Sequence, residues 1–201
     1  MTKIAIIDYG LGNLRSVIRG LEKAGAEAVI TCDVETIASS DGMVLPGVGA
    51  FSEGMDQLGP LRKTVTESAR EVPLLGICLG MQMLMETSEE HGIHKGLGLV
   101  PGSVKRFPPT PGQKIPHMGW NTLTLVNRDH PLYQGFRGDE FVYFVHSYYA
   151  DTSREFTLTS TDYICPFASS VARDTTCGVQ FHPEKSGATG LRLLENFIGM
   201  C

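Results

Sequence analysis

Cys78 is the residue of this chain best placed to do chemistry. It ends the apolar run Leu74-Leu75-Gly76-Ile77, which reads as a short buried strand, and Leu79 to Met85 beyond it has the composition of a helix. Gly76 and Gly80 stand two residues to either side, where a sharp strand-to-helix reversal leaves no room for side chains. A sulfur at the head of a helix meets unpaired N–H groups and the positive end of the helix dipole, which favour thiolate over thiol. The same residues equally fit a structural cysteine packed between a core strand and a core helix.

A cysteine nucleophile needs a base, and the base needs something to hold it. Among the six histidines, His182 ends the apolar stretch Gly178-Val179-Gln180-Phe181 and is followed two residues on by Glu184. In an extended segment residues two apart point the same way, so Glu184 can accept a hydrogen bond from the ring and fix its tautomer. Pro183 stiffens the pair. A solvated surface pair is the competing reading of His-x-Glu. Backbone donors for a developing oxyanion come from Leu79, just after the cysteine, and from the glycine-rich stretch Pro46-Gly47-Val48-Gly49, whose other reading is a tight strand-to-helix turn.

These segments need a scaffold that brings them to one edge. Lys3 to Asp8 reads as a first strand, Leu14, Val17, Ile18 and Leu21 follow at helical spacing, and Gly25 closes that helix. Ala26 to Thr31 and Gly42 to Leu45 are further strands, Leu58 to Arg70 reads as a mostly polar helix, and Val72 opens the strand that leads to Cys78. Alternating strand and helix predicts a parallel sheet covered on both faces, a three-layer α/β sandwich, with sites beyond the carboxyl ends of the strands. After Glu90 the strands crowd together: Leu97 to Phe107, Trp120 to Val126, Glu140 to Tyr149, Phe156 to Thr159, Ala168 to Arg173 and Cys177 to Phe181. They read as mixed or antiparallel additions, the last returning beside the central strand. A helix over Thr189 to Ile198 closes the chain, and residues 1–201 read as a single domain.

Composition narrows the function classes. A net charge of -5 with no run of lysines or arginines argues against nucleic acid or an anionic membrane as the main partner. The N-terminus reads as a strand and not as a signal peptide, and no apolar run approaches membrane-spanning length. Five cysteines without C-x-x-C spacing suggest neither a disulfide framework nor a zinc site, and a reducing cytoplasm fits best. No metal or cofactor is expected.

Three segments together, Gly76 to Gln82, Pro46 to Phe51 and Gly178 to Ser186, resemble the class I glutamine amidotransferases with their Cys-His-Glu triad. Asp8 to Leu14, Pro116 to Asn121 and Tyr143 to Tyr148 further resemble the glutaminase subunits of imidazole glycerol phosphate synthases, of histidine biosynthesis. The resemblance implies that Cys78, His182 and Glu184 split glutamine and that Gln82, Glu90, Ser147 and Tyr148 hold its polar ends. It implies a cyclase partner of (β/α)8 barrel form, joined as a heterodimer, that receives the ammonia, and with it both hydrolase and lyase activity. Asn13, Trp120, Asn121, Tyr143 and Lys185 are the expected docking face, although Trp120 also fits a core residue. The rivals are the glutaminase of another pathway, a stand-alone γ-glutamyl hydrolase, a nucleotide-binding module built on Gly10-Leu11-Gly12, and a catalytically silent interaction subunit.

Overall fold

Successive side chains of a strand leave it on opposite sides, and the first strand uses both: Ile4 and Ile6 enter one apolar core, Ala5 and Ile7 the other. The computed structural model, which describes residues 1–201, builds a layer of helix on each of those faces. Strands β1 (Lys3–Ile7), β2 (Glu27–Thr31), β3 (Gly42–Gly47) and β4 (Leu74–Cys78) alternate with helices α1 (Leu14–Lys23), α2 (Val34–Ala38), α3 (Phe51–Leu58) and α4 (Arg62–Ser68). Helix α5 (Leu79–Met83) leaves β4 directly. The second half contributes β5 (Thr87–Ser88), β6 (His94–Lys95), β7 (Ser103–Arg106), β8 (His117–Thr122), β9 (Thr124–Leu125), β10 (Phe141–His146) and β11 (Tyr148–Asp151). It ends with β12 (Thr157–Asp162), β13 (Pro166–Arg173), β14 (Thr176–Val179) and α6 (Gly187–Ile198).

The main sheet runs β2-β1-β3-β4-β14-β13-β11-β7-β5-β6, with β12 on β13 and β9 on β12. Its first five strands are parallel, and β13, β11 and β7 add on antiparallel. Val17 and Leu21 of α1 share one core with Leu193, Leu194 and Phe197 of α6. Ile37, Phe51, Met55, Leu58 and Val65, from α2 to α4, fill the other. The expected three-layer α/β sandwich with antiparallel additions is therefore the fold. Burial of each large apolar side chain contributes roughly 1.5–3 kcal/mol, which outweighs the helix propensities of these short segments.

The return strand falls where the sequence placed it. β14 pairs in parallel with β4, Gly178 opposite Gly76 and Val179 opposite Ile77, so the chain leaving β14 emerges at the same sheet edge as Cys78. Strands β8 and β10 stand apart as a two-stranded antiparallel ribbon, with Tyr143 opposite Trp120.

Several boundaries differ from the sequence reading. Leu58 to Arg70 is not one helix: α3 ends at Leu58, Gly59–Leu61 form a 3-10 turn, and α4 starts at Arg62. Pro60 explains the break, since it has no N–H to continue the ladder. Helix α2 was not foreseen; Asp33 caps it, accepting the Thr36 N–H at 2.8 Å. The expected strand from Glu140 to Tyr149 divides at Ser147, where the chain leaves the ribbon and joins the main sheet. No helix is long and apolar enough to cross a membrane.

Candidate active site

The elbow at Cys78 is built from backbone. Cys78 takes φ +56° and ψ -109° between β4 and α5, a left-handed conformation that costs a non-glycine residue about 1–3 kcal/mol. A Cβ on Gly76 would lie 2.8 Å from the Gly80 carbonyl carbon, and one on Gly80 would collide with the Leu45 carbonyl of β3. Both glycines are therefore dictated by contact between the elbow and the sheet beneath it.

His182 reaches the same edge from β14. Its N–H donates to the Tyr143 carbonyl at 2.9 Å. Its own carbonyl accepts from Ser186 Oγ at 2.7 Å, and that oxygen accepts the Tyr143 N–H at 3.0 Å. Ser186 thus clasps the histidine segment to the ribbon, a role the sequence reading did not assign. His182 Nδ1 lies 2.8 Å from Glu184 Oε1, with the two side chains 3% and 1% exposed. The pair is buried, so the surface reading of His-x-Glu is excluded. Because the carboxylate can only accept, the proton sits on Nδ1, and the buried Nε2 has no hydrogen-bond partner.

Cys78 and His182 face one cavity of about 450 Å³. Burial pulls the His182 ring pKa down, but the Cys78 sulfur and the Glu184 carboxylate together outweigh it and bring it up to about 9. Ring and sulfur are close enough to interact electrostatically, although Nε2 and Sγ make no hydrogen bond as they stand. The thiol donates instead to the Val145 carbonyl at 3.9 Å, and Gln180 Nε2 donates to the sulfur at 3.7 Å.

The expected oxyanion segment lies against this cavity. Val48, Gly49 and Leu79 line it, while Gly47 sits behind, opposite Cys78 in the strand register. A Cβ on Gly47 would fall 2.5 Å from the Tyr9 hydroxyl, which donates to the Pro46 carbonyl at 2.7 Å and holds the loop from beneath. Gln82, Glu90, Ser147 and Tyr148 also line the cavity, but two of them are already engaged. Glu90 Oε2 accepts the Phe51 N–H at 2.6 Å, at the head of α3. Gln82 Nε2 donates to the Tyr148 carbonyl and to Gln180 Oε1, both at 3.0 Å, which leaves only its own oxygen for a ligand.

The docking residues divide. Trp120 is 56% exposed, so the core reading of this residue fails. Its ring meets Tyr143 edge-on at 6.1 Å, and Lys185 Nζ sits 5.9 Å above the Tyr143 ring. Asn13 is exposed at the head of α1, which packs against the turn Pro183–Lys185. Asn121, next to Trp120 on a strand, points to the other face, where its amide donates to the Asp162 carbonyl at 2.9 Å. It also approaches His117 Nε2 at 3.3 Å, while His117 Nδ1 lies 3.0 Å from His146 Nε2. Burial lowers the pKa of His117 to about 4 and that of His146 to about 3, so both rings are neutral near pH 7. Gln180 and His146 escaped the sequence reading; a glutamine inside the apolar run Val179-Gln180-Phe181 is the one signal that marked the former.

A parallel sheet carrying a cysteine elbow beside a buried His-Glu pair defines a class, and comparison with known proteins agrees. The family model described as Glutamine amidotransferase class-I matches residues 5–200. Imidazole glycerol phosphate synthase subunit HisH of Methanosarcina mazei is 54% identical over 100% of both chains, and that of Archaeoglobus fulgidus is 50% identical over 98% of both. Among solved structures, a putative GMP synthase subunit from Thermoplasma acidophilum superposes with a TM-score of 0.76 at 24% identity, covering 100% of this chain and 94% of that one. The chain belongs to the class-I glutamine amidotransferases and, among them, to the HisH subunits of imidazole glycerol phosphate synthase. One implied activity is corrected: a thiol, an imidazole and a carboxylate support hydrolysis of an amide, and lyase activity is not assigned to this chain.

Proposed function

We propose that residues 1–201 act as one domain that hydrolyses glutamine to glutamate and ammonia and passes the ammonia to a cyclase subunit for imidazole glycerol phosphate synthesis. The observation that carries this reading is the buried His182–Glu184 contact of 2.8 Å, made by a histidine that lines one cavity with Cys78. Cys78 thiolate attacks the side-chain amide carbon of glutamine, and His182 protonates the departing ammonia. A γ-glutamyl thioester remains on Cys78 until His182 activates water to release glutamate. Glu184 accepts from Nδ1 and so keeps Nε2 as the nitrogen that gives and takes the proton in both steps. The N–H groups of Leu79 and of the Gly47–Gly49 segment receive the tetrahedral oxyanion, and a peptide flip in that segment completes or removes one donor. The Gln82 oxygen, Glu90, Ser147 and Tyr148 bind the zwitterionic end of the substrate.

Ammonia released into neutral water is protonated and loses its nucleophilicity, so the site must open onto an acceptor enzyme. The partner is a cyclase of (β/α)8 barrel form, joined as a heterodimer and seated on the ribbon face of Trp120, Tyr143 and Lys185, with Tyr143 beside the ammonia path. Five free cysteines suit a reducing cytoplasm. Cys78→Ala abolishes glutamine-dependent synthesis by the complex and leaves ammonia-dependent synthesis intact. Loss of both activities together would make Cys78 structural.

A further inference from the structure

Gln180 is fully buried and takes no part in the triad, yet its side chain ends on the nucleophile. Which way its amide points follows from its neighbours. The Tyr148 carbonyl can only accept, and it takes hydrogen bonds from His146 Nδ1 at 2.8 Å and from Gln82 Nε2 at 3.0 Å. Gln82 must therefore turn its NH2 group to that carbonyl. The second hydrogen of the same NH2 group reaches Gln180 at 3.0 Å, so Gln180 must present its oxygen there. That leaves the Gln180 NH2 group facing Cys78 Sγ at 3.7 Å.

The sulfur's other polar contact is different. Val145 offers a carbonyl at 3.9 Å, which accepts the proton of a thiol but repels a thiolate. Once the proton leaves, the Gln180 amide and the His182 ring are the groups that attract the charge. We propose that Gln180 stabilises the Cys78 thiolate by donating a hydrogen bond to Sγ, and that Gln82 is a positioning residue that keeps the Gln180 amide turned that way. Burial of all these groups strengthens the interaction, because no water competes for the sulfur on this side. The inference rests on reading Cys78 as the nucleophile.

The test is alkylation of Cys78 by iodoacetamide in the full chain bound to its cyclase, with the remaining cysteines blocked by substitution. Gln180→Leu slows alkylation at pH 7 by about tenfold, the factor carried by one charge-assisted hydrogen bond of about 1.4 kcal/mol. At pH 10, above the ordinary thiol range of ~8.5, the two proteins react within about twofold of each other. Glutamine turnover falls in kcat with KM nearly unchanged. Gln82→Leu gives a smaller change in the same direction, since the amide is then free to rotate. Gln180→Glu keeps the size and replaces the donor by an acceptor, so it slows alkylation further and provides the readout if the leucine variant does not fold; ammonia-dependent synthesis verifies folding of each. Parental alkylation at pH 7 in the Gln180 variants overturns the proposal, and so does equal slowing at both pH values, which would mark a change in access. Where Cys78→Ala still hydrolyses glutamine, the reading of the site fails; where Cys78 is essential and the Gln180 variants alkylate like the parent, only this inference fails.

Discussion

Opposed influences meet on the ring of His182. Burial alone would lower its pKa, while the sulfur of Cys78 and the carboxylate of Glu184 raise it to about 9. At neutral pH the ring is therefore protonated, as a group must be that hands a proton to departing ammonia. Acylation then turns the sulfur into a neutral thioester. The ring loses that support while its burial persists, its pKa falls, and it becomes able to take a proton from water. One histidine thus serves as acid in the first half-reaction and as base in the second, with the acylation of Cys78 setting which. The Cys78→Ala variant imitates the uncharged state: NMR titration of its His182 ring should give a midpoint lower than that of the parent by about one to two units. An unchanged midpoint near 9 would mean that the sulfur contributes nothing. The same shift links the ring to stability. Since its folded pKa lies above the unfolded value of ~6.5, its contribution is complete below that pH and is lost as pH rises through about 9.

Between residues and the whole fold, the decisive element is the strand, elbow and helix formed by β4, Cys78 and α5. Its geometry depends on close approach of backbones: Gly80 lies under the Leu45 carbonyl, so a methyl group there must push α5 off β3. Gly80→Ala should cost about 3 kcal/mol in urea unfolding, the upper range for overpacking, and should abolish activity at temperatures where the variant still folds. Gly98 gives the opposite case. It has positive φ, at +66°, which Gly80 lacks, and open space around it, so Gly98→Ala should cost only about 1 kcal/mol of backbone strain. Equal costs would show that contact is not what the elbow glycine avoids. This element was legible in the sequence because its signals are local: an apolar run, a cysteine, two flanking glycines, and the His-x-Glu pair at the end of a later strand. What escaped is non-local. The division at Ser147 depends on β10 pairing with β8 while β11 pairs with β7 and β13, and no short window of sequence records that choice. The Ser186 clasp and the Gln82–Gln180 contact likewise join residues far apart in the chain, so the segments around them, even with a glutamine set in an apolar run, do not show which partner each side chain meets.

On the scale of the molecule, the ribbon of β8 and β10 connects an exposed face to the catalytic edge. Met118, Trp120 and Phe141 are exposed on it, more apolar surface than a two-stranded ribbon in water would favour without a partner to cover it. The backbone of β10 holds the site from behind: the Tyr143 carbonyl receives the His182 N–H, and the Val145 carbonyl receives the Cys78 thiol. A cyclase seated on Trp120 and Tyr143, as proposed, therefore bears on β10, the strand that supports base and nucleophile, and on β8 paired with it. The isolated chain should hydrolyse glutamine slowly, and the cyclase with its ligand bound should accelerate it. Trp120→Ala separates docking from chemistry, because the indole touches the Tyr143 ring and no catalytic group. The variant should bind the cyclase about 30-fold more weakly, the effect of losing an aromatic anchor worth about 2 kcal/mol, while its partner-free hydrolysis stays at the parental level. Saturating cyclase should restore most of the stimulated rate, since the strand that carries Tyr143 and Val145 is intact. Titration calorimetry and glutamate release measured on one preparation distinguish the outcomes. Undiminished affinity would place the docking face elsewhere, and weakened affinity with no recovery at saturation would make Trp120 part of the activating contact rather than an anchor alone.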